Sequence, residues 1–178
     1  MKKVLLSMAV AALVAVGALP AASASAAPYC GITWGSAAKS GGPASTSKYL
    51  TNIRAGQHDC YDRLVLDLNG AAAGYDVRYV PEVSAEGSGE VIPLTGGAKL
   101  RIVLKAPSYN SSGTPTYGGV TGQVLPGVNL SGYQTFRQAK FAGSYEGQTS
   151  VGLGVRALLP FRVLQSENHV IIDVAHKW

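Results

Sequence analysis

The chain is poor in the side chains that usually carry chemistry. Its 178 residues include three histidines and two cysteines, and only 14% are Asp, Glu, Lys or Arg. Each shortage excludes something different. His58, His169 and His176 fall in no HExxH or His-x-His arrangement, so the spacing expected of zinc ligands is missing. No Gly-x-Ser-x-Gly elbow is present, and Ser36 after Trp34-Gly35 lacks that strand-turn-helix setting. No apolar run reaches the roughly 18 residues of a membrane span. The longest, Val4 to Leu19, is sixteen residues and contains Ser7 and Gly17. Basic residues stand mostly singly, and the nearest thing to a cluster is Lys99, Arg101 and Lys105. Nucleic-acid binding usually wants a denser patch.

What the N-terminus does have is an export pattern. Lys2 and Lys3 precede the apolar run, Pro20 closes it, and Ala24-Ser25-Ala26 fits the small-x-small rule for cleavage. The expected division is a signal peptide over 1–26, a linker segment over 27–49 and one domain over 50–178. An uncleaved N-terminal anchor is the alternative. A lipid anchor at Cys30 is opposed by Pro28-Tyr29, where a lipoprotein signal needs small or apolar residues. Without residues 1–26 the chain has 152 residues, 13 of them basic and 10 acidic, enough for a single domain with a real core. Cys30 and Cys60 both remain. An even count in an exported chain reads as a disulfide, and closing a loop of about 30 residues is worth roughly 3–4 kcal/mol in the chain-entropy model. No CxxC pair or nearby histidine cluster supports a redox or metal role.

The body of the sequence alternates with a period of two. Tyr61 to Leu68 puts Leu64, Leu66 and Leu68 on one face and Arg63, Val65 and Asp67 on the other. Tyr75 to Val80, Leu100 to Leu104, Gln148 to Leu158, Phe161 to Leu164 and His169 to Ala175 read likewise. Tyr133 to Phe141 has room for a helical turn, but its neighbours favour strand. Nine prolines and 22 glycines leave little space for a long amphipathic helix. The fold expected is all-β: an antiparallel β-sandwich, or partly closed barrel, of two similar halves.

The halves show in one alignment. Arg63-Leu-Val-Leu-Asp-Leu68 matches His169-Val-Ile-Ile-Asp-Val174, with an acidic residue fifth in each. Upstream of each stands an apolar-Arg pair, Ile53-Arg54 and Phe161-Arg162. This suggests two related units about a pseudo-two-fold, each burying its aliphatic triplet against the other.

Arg54-Ala-Gly-Gln-His-Asp-Cys-Tyr-Asp-Arg-Leu-Val-Leu-Asp-Leu68, Gly74-Tyr-Asp-Val-Arg-Tyr-Val80, Gly143-Ser-Tyr-Glu-Gly-Gln-Thr149, Leu153-Gly-Val-Arg156, Pro160-Phe-Arg-Val163 and Ile172-Asp-Val-Ala-His176 follow in order. Together they resemble the AMIN-like proteins secreted by Gram-positive bacteria, over nearly all of residues 50–178. AMIN domains proper are sandwiches of two similar halves that target envelope proteins, such as peptidoglycan amidases, to wall or envelope components. The resemblance implies a non-enzymatic module, here without a following amidase domain, and carries no ligand residues onto this chain. The expected place is outside the cell, with cell-wall association. The expected partner is a cell-wall polymer or an envelope protein, with no cofactor, no metal, no nucleic acid and no membrane span after signal removal.

A secreted hydrolase of wall or carbohydrate material is the alternative class, and its candidates are few. His58-Asp59 beside Cys60 reads as a polar turn. His169 and Asp173 share a strand face but stand roughly 13 Å apart along it, too far for a direct hydrogen bond. His176, beside Val174 and Trp178, reads as a boundary residue. With both cysteines bridged, no thiol nucleophile remains. Binding is read instead into Tyr109 to Tyr145, where aromatics alternate with Gly, Ser, Thr, Asn and Gln. Aromatic faces suit sugar rings, and amides and hydroxyls add direction. Tyr133, Phe136, Tyr145 and Glu146 are the expected contacts.

Overall fold

A computed structural model describes residues 28–45 and 47–178; the expected signal peptide lies outside the described residues. Among them no helix is long and apolar enough to cross a membrane. After a short 3-10 turn at Tyr29–Gly31 come eleven strands: β1 (Lys39–Gly41), β2 (Leu50–Gln57), β3 (Tyr61–Leu68), β4 (Tyr75–Val80), β5 (Val83–Ser84), β6 (Val91–Ile92), β7 (Ala98–Leu104), β8 (Phe136–Tyr145), β9 (Gln148–Val155), β10 (Phe161–Ser166) and β11 (His169–Ala175).

Nine of them form two antiparallel sheets, in the orders β10-β11-β3-β2 and β1-β4-β7-β9-β8, and β5 pairs with β6 alone. The period-two residues decide which face meets the other sheet. Leu64, Leu66, Val170, Ile172 and Val174 of the first sheet, and Val77, Leu100, Ile102, Val151, Leu153 and Val155 of the second, belong to one core cluster and are at most 2% exposed. Burying a side chain of this kind contributes roughly 1.5–3 kcal/mol, so the facing aliphatic rows are what hold the sandwich together. The all-β sandwich expected from the alternation is the fold observed.

The two similar units sit differently from expectation. β3 and β11 are hydrogen-bonded neighbours in one sheet, with His169 opposite Asp67 and Asp173 opposite Arg63. The pseudo-two-fold passes between them, so the first residue of each matched six-residue segment, Arg63 or His169, faces the acidic fifth of the other. Their aliphatic triplets lie side by side and pack on the second sheet, not on each other. The reason is pairing: two strands with matching inward faces and complementary outward charges join edge to edge.

The segment expected as a linker is laid onto the sandwich. β1 pairs with β4, Gly35 bridges Phe161, and Cys30 is disulfide-bonded to Cys60. The outer face of the larger sheet is covered in part by the β5–β6 hairpin, with its own small cluster of Val83, Ala85, Ile92 and Ala142. Glycines make the approach possible. A Cβ at Gly154 of β9 would stand 1.9 Å from the Thr95 carbonyl oxygen, so no other residue fits under that strap.

Candidate functional site

The structure divides the four expected contacts between the two ends of β8. Phe136, at its start, is 1% exposed and part of the core. It is buried because strand alternation points it at the opposite sheet, and it presents no surface to a ligand. Tyr133 stacks on it, ring centroids 5.8 Å apart. Burial, and then the Asp62 carboxylate, push the Tyr133 phenol above its ordinary pKa. Tyr145 and Glu146 stand at the other end, where β8 turns into β9. Tyr145 is 54% exposed and lies alongside Gly87. Glu146 and Gly147 form the two-residue turn, at φ 47° and 77°. Two positive φ values are the type I′ pattern, whose preferred first residues are Asn, Asp or Gly.

Beside that tip is a cleft of about 490 Å³ lined by Ser45, Tyr49, Pro107, Tyr109, Asn110 and Gly147, among others. Its walls are stitched together. The Tyr109 hydroxyl accepts the Gly147 N–H at 3.2 Å, the Ser108 N–H donates to Ser144 Oγ at 2.9 Å, and the Leu50 N–H donates to the Pro107 carbonyl at 2.8 Å. Tyr49 and Tyr109 are both half-buried, held from behind with part of each exposed. Tyr109 was legible as one of the aromatics in a polar stretch. Tyr49 was not, because it stands just before β2, about 60 residues earlier in the chain.

The outer face of the smaller sheet carries charge in matched pairs. Asp173 is fully buried and receives Arg63 Nε at 2.6 Å and Arg162 Nε at 2.8 Å. These hydrogen bonds hold the Arg63 pKa above its ordinary value. Across the pseudo-two-fold, Asp67 receives Arg54 Nε at 3.0 Å and lies 2.8 Å from His169 Nδ1. The His169 contact lacks hydrogen-bond alignment, so it is an ion pair only when the ring is charged. The structure therefore separates His169 from Asp173 and gives each other partners. His58 stacks on Tyr61 at 4.6 Å. His176 is 7% exposed and sits between the Asp59 carbonyl and Asp62 Oδ1. No group of three or more His, Cys, Asp or Glu placed to hold a metal occurs among the described residues.

The described residues thus form a two-sheet β domain with open clefts lined by tyrosines and small polar side chains. The chain belongs to the AMIN-like domain family, whose sequence profile matches residues 48–176. Such domains are in general non-catalytic binding modules. No curated protein and no solved structure matches the chain.

Proposed function

We propose that the protein is an exported envelope-binding module that takes a cell-wall glycan at the β8–β9 end of the sandwich. Tyr49 and Tyr109 offer apolar faces for sugar rings, while Asn110 and Ser45 supply directional hydrogen bonds. A volume of about 490 Å³ is within the usual range for a small-ligand pocket. Tyr145 and Glu146 extend the surface around the tip.

The observation that carries this reading is Glu146. A non-glycine residue at φ 47° costs roughly 1 kcal/mol, and Asn would fit the turn better. Strain of this kind is found often at functional sites, and Glu146 is exposed beside Gly147, which lines the aromatic cleft; Glu167 has a similar φ of 42° in the β10–β11 turn but adjoins no aromatic cleft. Export is supported by the basic-apolar-small pattern of residues 1–26 and by the disulfide.

The test is retention of the domain on purified cell wall, run beside a zymogram on the same material. Binding without clearing is the expected result; clearing of the gel would make the protein a hydrolase. Tyr109→Ala, Tyr145→Ala and Glu146→Gln should each weaken retention. Melting should stay unchanged for the two exposed positions. Early melting of Tyr145→Ala together with parental binding of Glu146→Gln would show the tip to be structural. N-terminal sequencing of secreted protein should begin near Ala27.

A further inference from the structure

Both tryptophans of the chain, Trp34 and Trp178, face one cleft at the opposite end of the sandwich. It encloses about 400 Å³ between Pro28, Tyr29, Ile32, Trp34, Pro160 and Trp178. Trp178 is 68% exposed, the most open of the large apolar side chains among the described residues. The indoles are not loose. Trp34 Nε1 donates to the Tyr29 carbonyl at 2.9 Å and Trp178 Nε1 donates to the Leu158 carbonyl at 3.1 Å. Both edges are tied to backbone, which fixes the rings and leaves ring surface available.

Cations gather at this rim. Lys177 Nζ lies 5.1 Å from the Tyr29 ring centre and Arg162 Cζ lies 5.4 Å from that of Trp34. Arg162 uses only its Nε on Asp173; among the described residues neither of its Nη atoms has a hydrogen-bond partner. Arg156 holds the His176 carbonyl close by. Of the nearby acidic side chains, Asp62 and Asp173 are fully buried and already bonded, while Asp59 is exposed.

We propose that this cleft is a second ligand site, for an anionic oligosaccharide. Its pyranose rings stack on Trp178 and Tyr29, and its acidic substituent pairs with Lys177 and the free edge of Arg162. Flat fixed rings beside unpaired guanidinium N–H groups suit a ligand that is apolar on one face and anionic at an edge. Cys30 lies in the Tyr29–Gly31 turn, so the Cys30–Cys60 bridge fastens one wall of the cleft to the start of β3. The site is independent of the β8–β9 cleft, whose lining includes no tryptophan.

That independence gives the test its readout, because tryptophan emission reports this end alone. Oligogalacturonate, a carboxylated glycan, is titrated into the mature disulfide-bonded protein. A saturable change in emission is expected, with affinity falling at least several-fold between low and physiological salt. Neutral cello-oligosaccharide should bind at least tenfold more weakly. Lys177→Glu should weaken oligogalacturonate binding at least fivefold and Trp178→Ala at least tenfold, with Trp34 still reporting. Both side chains are exposed, so melting should match the parent. The proposal is overturned if emission does not respond, or if neutral and acidic sugars bind alike. It is also overturned if Trp178→Ala binds as the parent does, or if polyglutamate binds and oligogalacturonate does not. None of these outcomes bears on retention through Tyr109 and Glu146, so the two sites fail separately.

Discussion

At the scale of single residues, Asp62 does the most. It is fully buried, and its Oδ2 accepts the N–H groups of Thr135 at 2.6 Å and Phe136 at 3.0 Å, while Oδ1 meets His176 Nε2 at 3.1 Å. One carboxylate thus ties the start of β8 to the end of β11. Asp62→Ala leaves three buried polar groups without their partner, and a loss of about 3–5 kcal/mol is expected from the urea midpoint. Asp62→Asn keeps an acceptor and should cost less. The sequence held the signal: position 62 continues the inward row of Leu64, Leu66 and Leu68, and a carboxylate on that row has to be bonded. His176 was legible as a satisfied boundary residue, although its partner was not, because the two are 114 residues apart. Glu146 supports the opposite kind of prediction. Glu146→Asn should raise stability by about 0.5–1 kcal/mol in thermal melts, since Asn-Gly is the favoured I′ pair, while reducing retention on cell wall.

At the scale of elements, most strands were legible, because a half-buried strand writes its burial into every second residue. β1 was not: Lys-Ser-Gly has no alternating apolar face, and it is a strand only because β4 offers an edge. Gly152 and Gly154 lie on the face of β9 opposite Val151, Leu153 and Val155, where they are the bed for the strap that runs through Leu94 and Thr95. Gly154→Ala would force that strap off the sheet, and a loss above about 2 kcal/mol is expected on chemical unfolding, far beyond the effect of a methyl group on an open strand. A second tie crosses from β4. The Tyr79 hydroxyl donates to the Leu159 carbonyl at 2.6 Å and accepts the Leu159 N–H at 3.1 Å. Burial pushes this phenol up to about 12, against the pull of the hydrogen bond it accepts from the Leu159 N–H. A raised pKa means that the folded state keeps its proton where the unfolded chain gives it up. The contribution is therefore complete below about pH 10 and is lost as pH rises from there to about 12. Tyr79→Phe should cost about 1–2 kcal/mol at neutral pH and flatten the alkaline limb of the stability profile.

At the scale of the molecule, the disulfide acts on the periphery. Cys30 is exposed and Cys60 half-buried, and the aliphatic core lies between the sheets, away from them. Reduction should leave the β circular dichroism in place and lower stability by up to roughly 3–4 kcal/mol, measured by urea unfolding with and without reductant. Intact mass should differ by two hydrogens between the two forms. The two aromatic clefts had unequal traces in the sequence. Polar residues interleaved with tyrosines pointed toward the β8–β9 end. The tryptophan cleft left no local trace, because Trp34 and Trp178 meet only when the N-terminal segment and the end of β11 are brought together.

The order β10-β11-β3-β2 has a kinetic consequence. The smaller sheet is closed by β3 and β11, and Arg63 meets Asp173 across a separation of 110 residues. Everything in the larger sheet except β1 lies inside that loop. A domain whose central ladder is this non-local pays its loop-closure entropy before the pairing rewards it, and it folds slowly, on the millisecond-to-second scale of β-rich proteins. Until β11 is present, the β2–β3 hairpin has an open edge and the smaller sheet lacks its central pairing. The chain therefore cannot close early while it emerges from the ribosome. Under the export proposed above, the position of β11 would act as a delay, keeping the domain from closing until that strand has been made.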